Sequence, residues 1–158
     1  MISMARTDYI MKLEGENIAR AKANELNCSP KHAIEIANFI RHKDVDSALE
    51  YLHQVVAKKK AIPFRRFKHN VAHQKSLTGV VCQGRFPVKA SHEYIRLLES
   101  VKKNAEYAGL STENLEIVHA AANRGRSMKA IFPRAMGRAT PKARETVTIE
   151  VIVREVEE

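Results

Sequence analysis

No tryptophan occurs in this chain, and its only cysteines are Cys28 and Cys82. The two are far apart and outside any CxxC spacing, so neither a disulfide framework nor a zinc cluster is expected. Aromatic residues make up 6% of the chain, which leaves Ile, Leu, Val and Ala to build the core. No run reaches the roughly 18 apolar residues of a membrane span. Near the start, Arg6, Asp8, Lys12, Glu14 and Glu16 interrupt any apolar stretch, so no signal core is expected and cytosolic residence is. Also missing are a G-x-S-x-G elbow, a Walker loop and a dinucleotide fingerprint. Neither enzyme chemistry nor a cofactor is indicated.

Acid is scarcest where base is densest. Between Glu50 and Glu93 there is none, yet nine bases stand there: Lys58, Lys59, Lys60, Arg65, Arg66, Lys68, Lys75, Arg85 and Lys89. Between Glu116 and Glu145 there is again none, against seven bases: Arg124, Arg126, Lys129, Arg134, Arg138, Lys142 and Arg144. These windows hold 16 of the 27 bases, which leaves 11 against all 18 acids elsewhere. Clustered like charges repel and cost stability unless something neutralises them. Phosphates do so, with counterion release driving the binding. Solvated basic loops are the plainer reading, but two long acid-free windows in one small chain weigh against it. A nuclease would need carboxylates beside phosphate to hold magnesium, and the windows offer none. A polyanion partner is expected.

The chain has 158 residues, a formal charge of +9 and a 44% apolar fraction, which together suit one domain with a true core. Residues Ile18 to Cys28 read as extended. Ser29-Pro30 is a helix start, and Ala33, Ile34, Ala37 and Ile40 continue it as one stripe. Asp44 is placed to cap a second helix, whose Val45, Ala48, Leu49, Leu52, Val55 and Val56 share a face. That helix should fray into Lys58–Lys60 and stop before Pro63. From Ile62 to Ala90 no period holds, and a loop of that length is usually functional or disordered. Ser91 starts a third helix, with Tyr94, Ile95, Leu97, Leu98, Val101 and Ala105 inward and Gly109 as its left-handed end.

Beyond Gly109 the period changes to two. Leu115, Ile117 and Ala120–Ala122 begin a strand, and Val147, Ile149, Val151 and Val153 alternate with Thr146, Thr148, Glu150 and Arg154 in another. If these pair antiparallel, the stretch between them is a long hairpin with its tip near Ala135 to Arg138. Its arms would extend about 30 Å with little apolar surface to bury. Such a ribbon makes sense when threaded into something else. His69 and His73 have the spacing of helical metal ligands. Asn70, however, stands where the zinc-protease motif has Glu, and no third ligand is evident, so solvated or RNA-facing rings are expected.

Four segments carry a resemblance. Ile62-Pro63-Phe64-Arg65-Arg66, Gly84-Arg85-Phe86-Pro87-Val88-Lys89, Asn104-Ala105-Glu106-Tyr107-Ala108-Gly109-Leu110 and Arg134-Ala135-Met136-Gly137-Arg138 follow one another with the right helices between. In that order and spacing the chain resembles the universal large-subunit ribosomal protein family numbered twenty-two in the bacterial series. The archaeal and eukaryotic branch, eukaryotic number seventeen, fits best, and the likeness runs from about Ser29 to Val153. Three departures are Met136, where the family usually carries a polar or basic residue, Ser127 to Pro133, which reads more like the bacterial hairpin, and Thr148-Ile149 in place of His-Ile.

The resemblance implies an α+β fold, three helices on a small three-stranded antiparallel sheet, with a long protruding β-hairpin. It implies one domain over 1–158, a basic insertion at 57–90, and a hairpin at about 117–153 with its tip near 134–140. It also implies a structural constituent of the large ribosomal subunit in the cytoplasm, with its globular part near the nascent-chain exit and its hairpin along the tunnel. Partners would be large-subunit rRNA, neighbouring ribosomal proteins and the nascent polypeptide, with no membrane and no small-molecule substrate. All bases of the two windows except Lys75 are candidate RNA contacts, and Arg134, Ala135, Met136, Gly137 and Arg138 are the candidate tunnel-facing tip. Phe64 and Phe86 are open to either of two roles, stacking on a base or docking into the domain. The rival reading is an architectural DNA-binding protein with basic β-arms, though such proteins commonly dimerise and no spare apolar helix face is evident.

Overall fold

Pro30 presets the first turn of α1 (Pro30–Ile40), where its missing N–H costs no helical bond. The structure is a computed structural model describing residues 9–11, 13, 15 and 17–156. Arg6, Asp8, Lys12, Glu14 and Glu16, which bore on the missing signal core, lie outside the described residues. A strand, β1 (Ile18–Leu26), precedes α1, and α2 (Val45–Val56) follows it. A short pair, β2 (Ile62–Pro63) and β3 (Gly84–Arg85), then leads to α3 (Val88–Tyr107). The chain ends in two long strands, β4 (Leu115–Pro133) and β5 (Ala139–Glu155).

The main sheet has the order β1-β5-β4, antiparallel throughout, and the three helices pack on one face of it. The expected α+β fold with its protruding hairpin is therefore what forms. Ile36, Ile40, Leu52, Leu98, Val101 and Tyr94 meet Ile117, Val147, Ile149, Val151 and Val153 in one core. The Tyr94 hydroxyl is satisfied inside it by the Ala33 carbonyl at 2.8 Å. On the outer side of β4, the His42 N–H donates to the Ile117 carbonyl and the Ile117 N–H to the Lys43 carbonyl. The α1–α2 link thus covers an edge that would otherwise invite pairing.

Several local expectations are revised. Ser29 and Asp44 precede their helices but form no side-chain cap; the backbone of Asp44 pairs with that of Glu116 in an isolated β-bridge. α3 begins at Val88, not Ser91: the Ser91 N–H already closes a helical turn onto the Pro87 carbonyl, and its side chain is buried. Gly109 takes φ +79, with Leu110 bonded back to Ala105, and so ends α3 as expected. The alternation read in β5 holds on its helix-facing side only. Glu150 and Ile152, on the opposite face, are buried as well: the Ile10 N–H donates to the Glu150 carboxylate, and Leu13 and Gly15 lie around Ile152.

Candidate nucleic-acid interface

The first basic window is organised from beneath. Glu35 lies buried on α1, and its carboxylate accepts the backbone N–H groups of Arg65 at 3.1 Å, Arg66 at 2.8 Å and Phe67 at 2.7 Å. Phe64 is buried against the core, edge-on to His32 at 5.5 Å, so the docking role is the one it fills. With its backbone held and Phe64 inserted, the loop turns Arg65, Arg66 and Lys68 to solvent. The Tyr51 hydroxyl donates to the Ala61 carbonyl at 2.7 Å, and the Ala61 N–H donates to Ser76 Oγ at 3.1 Å. The stretch from Ile62 to Pro87 is thus an irregular doubled-back arm. Its bonds Gln74 N–H to Cys82 carbonyl and Gly84 N–H to Ala72 carbonyl run across it. His69 and His73 stand in this non-helical arm, so their spacing places them on no common helix face.

Lys58, Lys59 and Lys60 form the turn after α2, and all are exposed. Arg85 projects from β3. Lys89 occupies the first turn of α3, where the helix dipole disfavours a cation. Burial, then nearby Arg85, pulls the His32 imidazole below the ordinary histidine pKa. Burial, then Arg65, likewise pulls the Lys43 ammonium below the ordinary lysine value. Both shifts record burial first and a neighbouring cation second.

The second window is the finger. β4 and β5 continue as a two-stranded ribbon from Arg124↔Val147 to Pro133↔Ala139, about 30 Å at strand rise. The register slips between Arg124 and Ser127, where the ribbon leaves the domain. At that bulge sits Gly125: a Cβ there would meet Thr146 Oγ1 at 2.6 Å, while that hydroxyl donates to the Arg126 carbonyl at 2.8 Å. The cross-strand pairs Met128↔Arg144 and Ala130↔Lys142 put two cations on one face, and Lys129↔Ala143 puts a third on the other. The tip closes with the Arg134 N–H on the Arg138 carbonyl at 2.8 Å, with Met136 at φ +58 and Gly137 at φ +67. Arg134 lies 5.2 Å and Lys142 5.9 Å from the Phe132 ring centroid. Met136 is 91% exposed, an apolar side chain that touches little of its own fold.

All fifteen candidate contacts are exposed. Among the described residues only Arg124 of these has an acid partner, Glu145 at 3.7 Å. The cations are therefore not spent on internal ion pairs. The sequence model of the family described as ribosomal protein L22p/L17e matches residues 21–154. The chain belongs to that family. Its relatives include proteins named large ribosomal subunit protein uL22: one from Methanoregula boonei, 69% identical over 97% of this chain and 99% of its own length, and one from Methanoculleus marisnigri, 65% identical over the same shares. A third, from Methanocorpusculum labreanum, is 60% identical over 98% of this chain and all of its own. The resemblance borne by the four segments is thus a kinship along nearly the whole chain.

Within this family member, Glu35 is the residue organising the basic loop that sequence reasoning passed over. One signal was present: it is the lone charge in Ala33-Ile34-Glu35-Ile36-Ala37, where a solvent-facing position would not be expected among four apolar neighbours.

Proposed function

We propose that this chain binds large-subunit rRNA through its two basic windows, with the globular part near the nascent-chain exit and the finger along the tunnel wall. As a family member it is a structural ribosomal protein of the large subunit, and it works in the ribosome, in the cytoplasm. One observation supports the finer reading above the rest: a ribbon of about 30 Å carries cations on both faces, buries almost nothing, and leaves all of them but Arg124 without an acid partner among the described residues. A solvated ribbon of that kind is marginal, and a phosphate lining neutralises both faces at once. In this reading residues 1–158 form one domain, with 57–90 as its basic insertion and about 117–153 as its finger. Neighbouring ribosomal proteins and the nascent polypeptide, passing the Arg134–Arg138 tip, are the further partners.

The test is binding of the whole chain to transcribed large-subunit rRNA with duplex DNA as competitor. Arg134→Ala with Arg138→Ala should weaken RNA binding while the melting temperature stays put. Unchanged RNA affinity, or displacement by duplex DNA at equal concentration, would sink the reading.

A further inference from the structure

Between the end of α1 and the β2/β3 pair lies a cavity of about 260 Å³, lined by Glu35, Asn38, Phe39, Arg41, Lys43 and Arg65 among others. Three cations share it with one acid, and that acid is already engaged with the three backbone amides of the basic loop. Arg41 is fixed from behind: its Nη2 donates to the Ala120 carbonyl at 2.7 Å, and its Nε is buried with no partner among the described residues. Lys43 is fixed as well, its Nζ 3.3 Å from the Phe39 ring centroid. Neither residue belongs to an acid-free window, so charge counting along the chain passes over both. The fold brings them to Arg65 of the first window and, through Ala120, to the root of the finger.

We propose that this cavity binds one backbone phosphate of RNA, held by Arg41, Lys43 and Arg65 with the Asn38 amide beside them. The proposal deepens the rRNA reading above and rests on it. The volume falls below the roughly 300 Å³ at which sites for drug-sized molecules begin, which suits a single small anionic group. Burial first, and Arg65 second, lower the pKa of Lys43, and an anion seated beside it would favour its charged form. Held cations lose little freedom on binding, which favours a fixed phosphate over a diffuse atmosphere. A phosphate seated here would tie the basic loop to the end of α1, whose Arg41 in turn holds the Ala120 carbonyl of β4.

The experiment uses the whole chain with transcribed large-subunit rRNA, and inorganic phosphate as a separate probe. Lys43→Met and Arg65→Ala should each weaken RNA binding about tenfold. The double variant should lose clearly less than the product of the two, because both side chains serve one group. Its salt dependence should fall by the slope of one phosphate, about 0.7–0.9. Lys43→Arg keeps the charge and should keep most of the affinity, which separates a lost contact from a damaged fold. Full additivity overturns the shared site. So does a rise in melting temperature with inorganic phosphate alongside unchanged RNA affinity in both variants, which would mark a free-anion site. If Lys43→Met and Arg65→Ala bind normally while the Arg134/Arg138 double variant does not, only the cavity assignment fails. If that variant also binds normally, the rRNA reading fails with it.

Discussion

The Glu35 carboxylate takes hydrogen bonds from three successive backbone amides, and an alanine there would leave all three without their acceptor. Glu35→Ala should cost about 1–3 kcal/mol, the penalty for stranding partly buried donors, and should speed amide exchange at Arg66 and Phe67 most. Denaturant unfolding and hydrogen exchange check the two halves of that statement. Cys28 makes a second residue-level prediction. Burial, with Glu93 nearby, pushes its thiol up to about 11, so at neutral pH it is protonated as well as enclosed. Iodoacetamide should label Cys82 in the native chain and reach Cys28 only on unfolding, as peptide mapping would reveal. The apolar neighbours of Glu35 hint at its burial, but the partners of neither residue were legible in the sequence. A Glu inside a helical pattern and a cysteine ahead of a proline do not announce their surroundings, which residues distant along the chain provide.

Elements were more legible, because periodicity belongs to them. The α2 stripe Val45, Ala48, Leu52 and Val55 is buried as its spacing requires. Leu52→Ala should therefore cost about 2–5 kcal/mol, measurable by urea unfolding. The finger predicts the reverse. Replacing residues 126–144 by a two-residue Asn-Gly turn removes side chains that are all exposed, so the melting temperature should barely move while rRNA affinity collapses. A large fall in melting temperature would show that the ribbon supports the domain after all. Where the sequence misled, an unseen neighbour was responsible. β5 alternates as a half-buried strand should, yet Glu150 is covered: His119 Nε2 stands 3.1 Å and Lys22 3.9 Å from it, and the Ile10 N–H bonds to it. A pattern of two reports which face turns to the helices. It says nothing of what Ile10 and its described neighbours cover on the other side.

For the whole molecule, the two windows carry net positive charge and everything else a net negative one, so the chain is polar in the electrical sense. Association with rRNA should weaken steeply with salt, log K falling by about 0.7–0.9 per phosphate engaged, and finger excision should flatten that line. Filter binding from about 50 to 200 mM salt would read it directly. The sheet order adds a consequence of another kind. β5, the last strand in the chain, lies between β1 and β4, and these first and penultimate strands have no common neighbour without it. During synthesis, then, no amount of waiting lets the early segments close their sheet. β1 must wait as unpaired chain until residues 147–154 have been added, and synthesis of that stretch is what closes the sheet.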